Sequence, residues 1–230
     1  MCGRLHILAF ILAFQPAFFL PGVQAGADDQ WVTEESSSKS WLMEGVPFRL
    51  VRPPDFEEGS DLLVSTSGEQ AVNFLKEVDG GLYASLTISV SDGEDISGER
   101  FDDGRLTAPC DRTVEQWLAD SRGRAALVSS GTGDKIEIEG VRQTKVAGMC
   151  GMELTVSGSM KNEEGRDASV FNYDYYAAYL NKRTHVPNYI SVSCVVSAEE
   201  KDKEAALAYF RGELKSVCSR LVDGLEFLDG

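Results

Sequence analysis

Residues 188–197 of the chain have the sequence NYISVSCVVS. Apolar and small polar residues alternate in it, and this period of two predicts a β-strand with one face in the core and a wetter face opposite. The apolar face holds Ile190, Val192, Cys194 and Val196. A cysteine therefore stands where a hydrophobic residue is expected. Four roles are open to it: catalytic thiol, metal ligand, half of a disulfide, or core residue.

The strands before this stretch repeat the alternation. Residues 82–90 carry apolar side chains at every second position, and they follow Asp79-Gly80-Gly81, a sequence typical of a tight hairpin turn. The same pattern in residues 150–157 and 171–180 predicts an antiparallel meander that leads into residues 188–197.

Two helices are predicted to accompany the sheet. Residues 113–116 form a capping box, in which Thr113 and Gln116 satisfy free amides of the first turn, and this helix is expected to end near Gly123. The second helix covers residues 198–222, and its apolar stripe needs a hydrophobic surface such as the sheet. The fold class is therefore α+β: an antiparallel sheet with a mid-chain helix and a long C-terminal helix packed on it, in a single domain. The stripe consists of Leu207, Phe210, Leu214, Val217, Cys218 and Leu221.

The N-terminal residues have the pattern of an export signal. One charge, Arg4, precedes an apolar run, and small residues lead up to Ala25, where a signal peptidase would cleave. Because Gln15 and Pro16 interrupt the run, a membrane anchor is the weaker reading. We expect a signal peptide at residues 1–25, a flexible polar leader at 26–40, the folded domain at 41–224 and a tail at 225–230. The mature chain would be secreted or periplasmic, without a transmembrane segment.

The charge of the chain limits its partners. It has 22 Lys and Arg against 37 Asp and Glu, a formal net charge of −15. Nucleic acid is an improbable partner for such a chain, because binding to phosphates needs a basic surface. Adsorption to anionic lipid is disfavoured for the same reason.

Signal cleavage would leave four cysteines in an oxidising compartment, which favours disulfides. Four cysteines allow three pairings, and the favoured one joins Cys194 to Cys218 and Cys110 to Cys150. A bond between Cys150 and Cys194 is a less favoured hypothesis, because another strand is predicted to lie between the strands that carry these two cysteines. Buried reduced thiols remain an alternative. No CxxC pair is present to suggest a zinc or redox site.

Few catalytic arrangements fit the sequence. The mature chain would have one histidine, His185, which lies nine residues before Cys194 along an extended strand and so cannot activate that thiol. Phosphate-binding loops and dinucleotide fingerprints are absent from the sequence. The acidic loop at residues 92–103 lacks the spacing of a calcium motif, and a solvated loop explains it. We expect no cofactor and no metal.

Two places are candidates for contact with a partner. Tyr173, Tyr175 and Tyr179 share a strand face that is expected to be core, whereas Tyr176 lies on the other face and is a better exposed contact. The turn after this strand contains Lys182, Arg183 and His185, a small basic tip that could dock an acidic partner. A solvated turn is the simpler interpretation of that tip.

The order of elements resembles the PsbP/Mog1-like fold, as in DcrB-like bacterial envelope proteins. The resemblance rests on PFRLVRPPDF at residues 47–56, the hairpin that ends at Val90, the single mid-chain helix, the meander from residue 141 and the closing amphipathic helix. It covers residues 46–221 and implies a non-catalytic accessory or binding protein, although a fold does not specify a function.

The sequence thus leads to a functional hypothesis with two rivals. We expect an exported, non-catalytic protein of the bacterial cell envelope that recognises another envelope component, a protein among the candidates, through the wetter sheet face or the loops at one end. A carboxylate-based hydrolase would instead have a pocket with two or more carboxylates of perturbed pKa. A small lipid carrier would have an apolar cavity between sheet and helix.

Overall fold

The computed structural model describes residues 38–43, 46–59, 63–64, 70–92, 113–161, 165–180 and 187–228. The strands of this part are β1 (Ser38–Met43), β2 (Val46–Val51), β3 (Glu57–Glu58), β4 (Leu63–Val64), β5 (Gln70–Val78), β6 (Leu82–Asp92), β7 (Lys135–Val146), β8 (Met149–Lys161), β9 (Asp167–Leu180), β10 (Pro187–Glu199) and β11 (Glu226–Phe227). The helices are α1 (Val114–Thr132), α2 (Lys203–Tyr209) and α3 (Lys215–Asp223).

The strands form two antiparallel sheets. The larger sheet has the order β3-β5-β6-β10-β9-β8-β7, with β4 also paired to β5. It contains the predicted meander and the predicted hairpin, whose turn glycines Gly80 and Gly81 have φ of 87° and 77°. The α+β class with an antiparallel sheet and helices is therefore confirmed.

The smaller sheet has the order β1-β2-β11 and was not expected as a separate unit. Its strand β11 lies within residues 225–230, which the sequence suggested as a tail. Phe227 pairs with Phe48 in β2, and Arg49 Nη2 lies 2.6 Å from Glu226 Oε2. Its strand β1 begins at Ser38, three residues before the expected start of the folded domain. Short apolar segments at both ends of the domain thus pair with each other, a long-range contact that local patterns do not reveal.

The strand β10 lies in the middle of the larger sheet, between β6 and β9. Cys194 pairs with Leu86 on one side and Tyr173 on the other, and it is fully buried. The alternation in residues 188–197 therefore has the predicted meaning, because one face of the strand enters the main hydrophobic core.

The two predicted helices exist with different bounds. The capping box of α1 is present, but the helix continues past Gly123 to Thr132, so the predicted end was wrong. A glycine inside a helix costs only about 1 kcal/mol and does not have to end it. The actual end is Gly133, which has a left-handed φ of 81° and donates its N–H to the carbonyl of Ser129.

The C-terminal helix, residues 200–223, is divided into segments. It begins as a 3₁₀ turn (Glu200–Asp202), continues as α2, widens into a π-helical turn (Phe210–Leu214) and ends as α3. The strand β10 extends to Glu199, so the helix starts slightly later than predicted. Within the part of the chain that the structure describes, no helix combines the length and apolar character needed to cross a membrane.

Candidate functional site

The larger sheet has two faces of different chemistry. One face holds Cys194, Leu86 and Tyr173 and is covered by the C-terminal helix, and we call it the helix face. The opposite face holds Ser193 and its cross-strand neighbours, and we call it the polar face. Successive residues of a strand point to opposite faces, so the register of β10 assigns each residue of the neighbouring strands to one of the two.

A row of polar side chains crosses four strands on the polar face. Asn73 pairs with Thr87, Thr87 with Ser193, and Ser193 with Asp174. The hydroxyl of Thr87 donates to Asn73 Oδ1 at 3.2 Å, and that of Ser193 donates to Asn172 Oδ1 at 3.2 Å. These polar groups largely bond to one another, so the row is a defined feature of the sheet.

A second pair of hydroxyls extends this polar surface. Ser89 on β6 and Ser191 on β10 lie opposite each other, with their Oγ atoms 2.6 Å apart. Both residues are buried. The wetter face expected from the sequence therefore consists of small hydroxyl and amide side chains across its centre.

Asp174 is the chemically distinctive residue of the polar face. Its side chain is 6% exposed, and its Oδ1 atom accepts no hydrogen bond. Burial raises the pKa of this carboxyl to about 6, although contacts with Ser193 and Asn172 act in the opposite direction. Among the residues that the structure describes, no lysine or arginine forms an ion pair with it. Asp174 is thus a buried carboxylate without a compensating charge.

Helix α1 reaches the polar face beside this carboxylate. Trp117 in its first turn stacks on Tyr176, two residues after Asp174 on the same strand face, with ring centroids 5.9 Å apart. Ala125 is the one buried residue of α1, and Leu127 is 73% exposed. This helix therefore buries fewer side chains than α3 does, in which Val217, Cys218, Leu221 and Val222 are buried.

The helix face is closed far more firmly. Cys194 on β10 and Cys218 on α3 form a disulfide with Cα atoms 6.2 Å apart, the bond that the sequence favoured. Phe210 stacks on Tyr173 with centroids 4.1 Å apart, and Leu214 is fully buried. A covalent link and a continuous apolar stripe hold the C-terminal helix to this face.

The helix face also contains a buried carboxylate, but this one is paired. Glu153 is 2% exposed, and it accepts from Arg142 Nη2 at 2.6 Å and from Lys215 Nζ at 2.5 Å. Burial acts to raise its pKa, but the hydrogen bonds from the two cations outweigh it and hold the pKa below the usual value. Lys215 Nζ also lies 3.9 Å from the ring centroid of Tyr173. This cluster is a compensated structural ion network.

Some predicted site residues can be placed in the structure and others cannot. Tyr176 is half-buried and stacked, so its role as an exposed partner contact stays a prediction. The other three partner-contact candidates, Lys182, Arg183 and His185, lie outside the described residues. Residues 93–103 of the acidic loop, with the calcium question attached to them, also lie outside.

The second predicted disulfide stays a prediction. Cys150 is disulfide-bonded. Cys110 lies outside the described residues, so the predicted pairing of these two cysteines is not tested. The predicted obstacle to a bond between Cys150 and Cys194 is present, because strand β9 lies between β8 and β10.

The two buried carboxylates of perturbed pKa found among the described residues do not form the hydrolase site that was considered. Asp174 and Glu153 are buried carboxylates of perturbed pKa, but the register places them on opposite faces of the sheet. They cannot act on one substrate as an acid and base pair. Within the described part of the chain, no cluster of three metal-ligating side chains occurs.

The residues Asp174 and Glu153 were missed by sequence reasoning. A signal for Asp174 existed, since a charged residue stands between Tyr173 and Tyr175 in the middle of an otherwise aromatic strand. Glu153 had no comparable signal, because Arg142 reaches it only through the register of β7 and β8 and Lys215 is far away in sequence.

Comparison with known proteins gives similarities at low identity. No protein-family model matches the chain, and no curated protein matches its sequence. It is similar to the solution structure of the cyanobacterial PsbP (CyanoP) from Synechocystis, with 12% identity, 88% of this chain and 98% of that chain covered, and a TM-score of 0.45.

Two further solved structures are similar. One is the Ran-binding protein Mog1p of Saccharomyces cerevisiae, with 15% identity, 84% and 96% coverage and a TM-score of 0.41. The other is LpqN, involved in cell envelope biogenesis of Mycobacterium tuberculosis, with 10% identity, 83% and 90% coverage and a TM-score of 0.38. PsbP and Mog1 are the proteins of the fold that the sequence resembled. At these scores and identities, the similarities carry no argument about the function of this chain.

Proposed function

We propose that this chain is an exported, non-catalytic accessory protein of the bacterial cell envelope that binds another envelope component through its polar face. The observation that carries the proposal is Asp174, a buried carboxylate with no compensating charge among the described residues, on the face that α1 contacts where Trp117 stacks on Tyr176. The export pattern of residues 1–25 and the disulfide between Cys194 and Cys218 support an oxidising compartment outside the cytoplasm.

The difference between the two faces argues for the polar face as the binding surface. The helix face is closed by a disulfide and by stacked aromatic rings, so a partner could reach it only after the core opens. The hydroxyl and amide groups of the polar face largely bond to one another, but Asp174 Oδ1 accepts no hydrogen bond and can take a directional one from a partner. A binding function also needs no pair of catalytic groups, in agreement with the separation of Asp174 from Glu153 by the sheet.

Site-specific photo-crosslinking tests this proposal. The full chain is exported by a bacterial host with p-benzoylphenylalanine in place of Tyr83. This residue is 49% exposed and lies on the polar face beside Ser197. The matched control carries the same probe at Arg211, an exposed position of the C-terminal helix. We expect one defined envelope adduct from position 83 and none from position 211. Equal labelling from both positions, or labelling from 211 alone, would contradict the proposal.

A further inference from the structure

We propose that Asp174 receives a cationic side chain, an arginine or a lysine, from a basic segment of the partner. This inference rests on the proposed function and specifies its chemistry. It makes the polar row from Asn73 to Asp174 the recognition site and Asp174 its charged centre.

The first argument is an internal comparison between two buried carboxylates of the same chain. Glu153, on the closed helix face, has two cations within 2.6 Å. Asp174 is buried almost as deeply, yet within the part of the chain that the structure describes its Oδ1 atom has no hydrogen-bond donor and no cation is paired with it. A buried carboxylate without a partner destabilises a fold, whereas an arriving cation would supply both the missing donor and the missing charge.

The second argument concerns the kind of group that Asp174 lacks, which is a hydrogen-bond donor with a positive charge. An ionised carboxylate only accepts hydrogen bonds, so the group that completes Asp174 has to be a donor. A neutral donor such as a sugar hydroxyl would satisfy Oδ1 but leave the charge uncompensated. Ammonium and guanidinium groups satisfy both requirements, and the net charge of −15 attracts a basic partner over a longer range.

The third argument concerns the surroundings and access. Tyr176 lies two residues after Asp174 on the same strand face, and its ring, on which Trp117 stacks, is an aromatic surface of the kind that attracts cations, arginine in particular, once Trp117 moves away. Long side chains of arginine and lysine can carry a charge below a surface while the backbone of the partner remains outside. Ala125 is the one buried residue of α1, and the inference requires that this helix shifts to admit such a side chain.

A pair of matched peptides tests the inference by titration calorimetry on the full exported chain. The probe is Ac-Gly-Arg-Gly-NH₂, and its control is the same peptide with citrulline in place of arginine, a side chain of nearly the same shape that keeps part of the N–H donors and has no charge. The protein variants are Asp174→Asn, which removes the buried charge, and Asp79→Asn, which removes the same charge from the exposed turn between β5 and β6. A neutral disaccharide serves as the third ligand.

We expect the wild-type protein and Asp79→Asn to bind the arginine peptide about tenfold or more tightly than the citrulline peptide. Asp174→Asn should lose that preference while retaining its circular dichroism spectrum. Three results would overturn the inference: equal affinity of the wild-type protein for the two peptides, an unchanged preference in Asp174→Asn, or preferential binding of the disaccharide. The crosslink from position 83 separates the two proposals, since a positive crosslink with no arginine preference leaves the binding function in place and removes only the assigned chemistry.

Discussion

Replacing Asp174 by asparagine should stabilise the protein at neutral and alkaline pH. The side chain is nearly isosteric, so the amide oxygen can keep the contacts with Asn172 and Ser193, while the amide NH₂ replaces the unpaired Oδ1 and the charge is removed. The folded pKa of Asp174 is about 6, above the ordinary value of 3.8. The folded state therefore binds the proton more tightly than the unfolded chain, and ionisation at higher pH works against folding.

The magnitude follows from the pKa difference. One pKa unit corresponds to about 1.4 kcal/mol, so a rise from 3.8 to about 6 corresponds to about 3 kcal/mol. The stabilising contribution of a protonated Asp174 is fully present below the unfolded pKa near 4, and it is lost as pH rises through about 6. Asp174→Asn should thus unfold with about the same free energy as the wild-type protein near pH 4 and with about 3 kcal/mol more at pH 8.

Urea unfolding at several values between pH 4 and pH 8, followed by circular dichroism, measures this difference. Other groups titrate over the same range, but they cancel when the wild-type protein is subtracted from the variant. Asp79→Asn should give a flat difference near zero, because the residue lies in an exposed turn. A difference for Asp174→Asn that does not grow between pH 4 and pH 8, or that has the opposite sign, would refute the reasoning about the uncompensated carboxylate.

Three further predictions concern other parts of the chain. Glu153→Gln should lower the free energy of unfolding by about 3 kcal/mol at pH 7, because it leaves Lys215 without its partner. Since the folded pKa of Glu153 is lowered, this loss, measured by urea unfolding, should shrink as pH falls below about 4. The double replacement of Cys194 and Cys218 by alanine should lower the thermal midpoint and cost about 3 kcal/mol, with the peptide preference unchanged. Intact mass and N-terminal sequencing of the exported protein should give a chain that begins at Gly26; an uncleaved N-terminus would exclude the predicted signal peptide.

Much of the larger sheet could be predicted from local patterns. The alternation in residues 188–197 has a single interpretation once one face is apolar, because a shift of one residue would move every hydrophobic side chain to the other face. The same logic identified Phe171, Tyr173 and Tyr175 as core residues, and they are buried. The capping box at Thr113 was equally local, since both of its hydrogen bonds span three residues.

The remaining features depend on contacts that sequence patterns do not contain. The separate sheet that joins β11 to β2 requires pairing between the two ends of the domain, as at Phe227 and Phe48. The π-helical turn at residues 210–214, in which Phe210 and Leu214 are buried, leaves no periodicity signal over so few residues. The environments of Asp174 and Glu153 depend on which residues lie across the neighbouring strands.

Helix α1 lies against the polar face, and the C-terminal helix is linked by a disulfide to the helix face. This difference allows binding and stability to be separated experimentally. A partner that reaches Asp174 has to displace part of the contact between α1 and the polar face, so the measured affinity is the gain at Asp174 minus the cost of that displacement. Trp117→Ala removes the stack on Tyr176 and reduces this cost. It should therefore lower stability by about 1 kcal/mol, because the ring is only half-buried, and bind the arginine peptide more tightly.

The opposite result is expected on the helix face. Phe210→Ala removes a fully buried ring that stacks on Tyr173, so it should lower the free energy of unfolding by about 4 kcal/mol. Because no partner has to displace the C-terminal helix, the affinity for the arginine peptide should not change. If Phe210→Ala altered the affinity and Trp117→Ala did not, the partner would enter through the helix face, and the polar face would be a structural surface only.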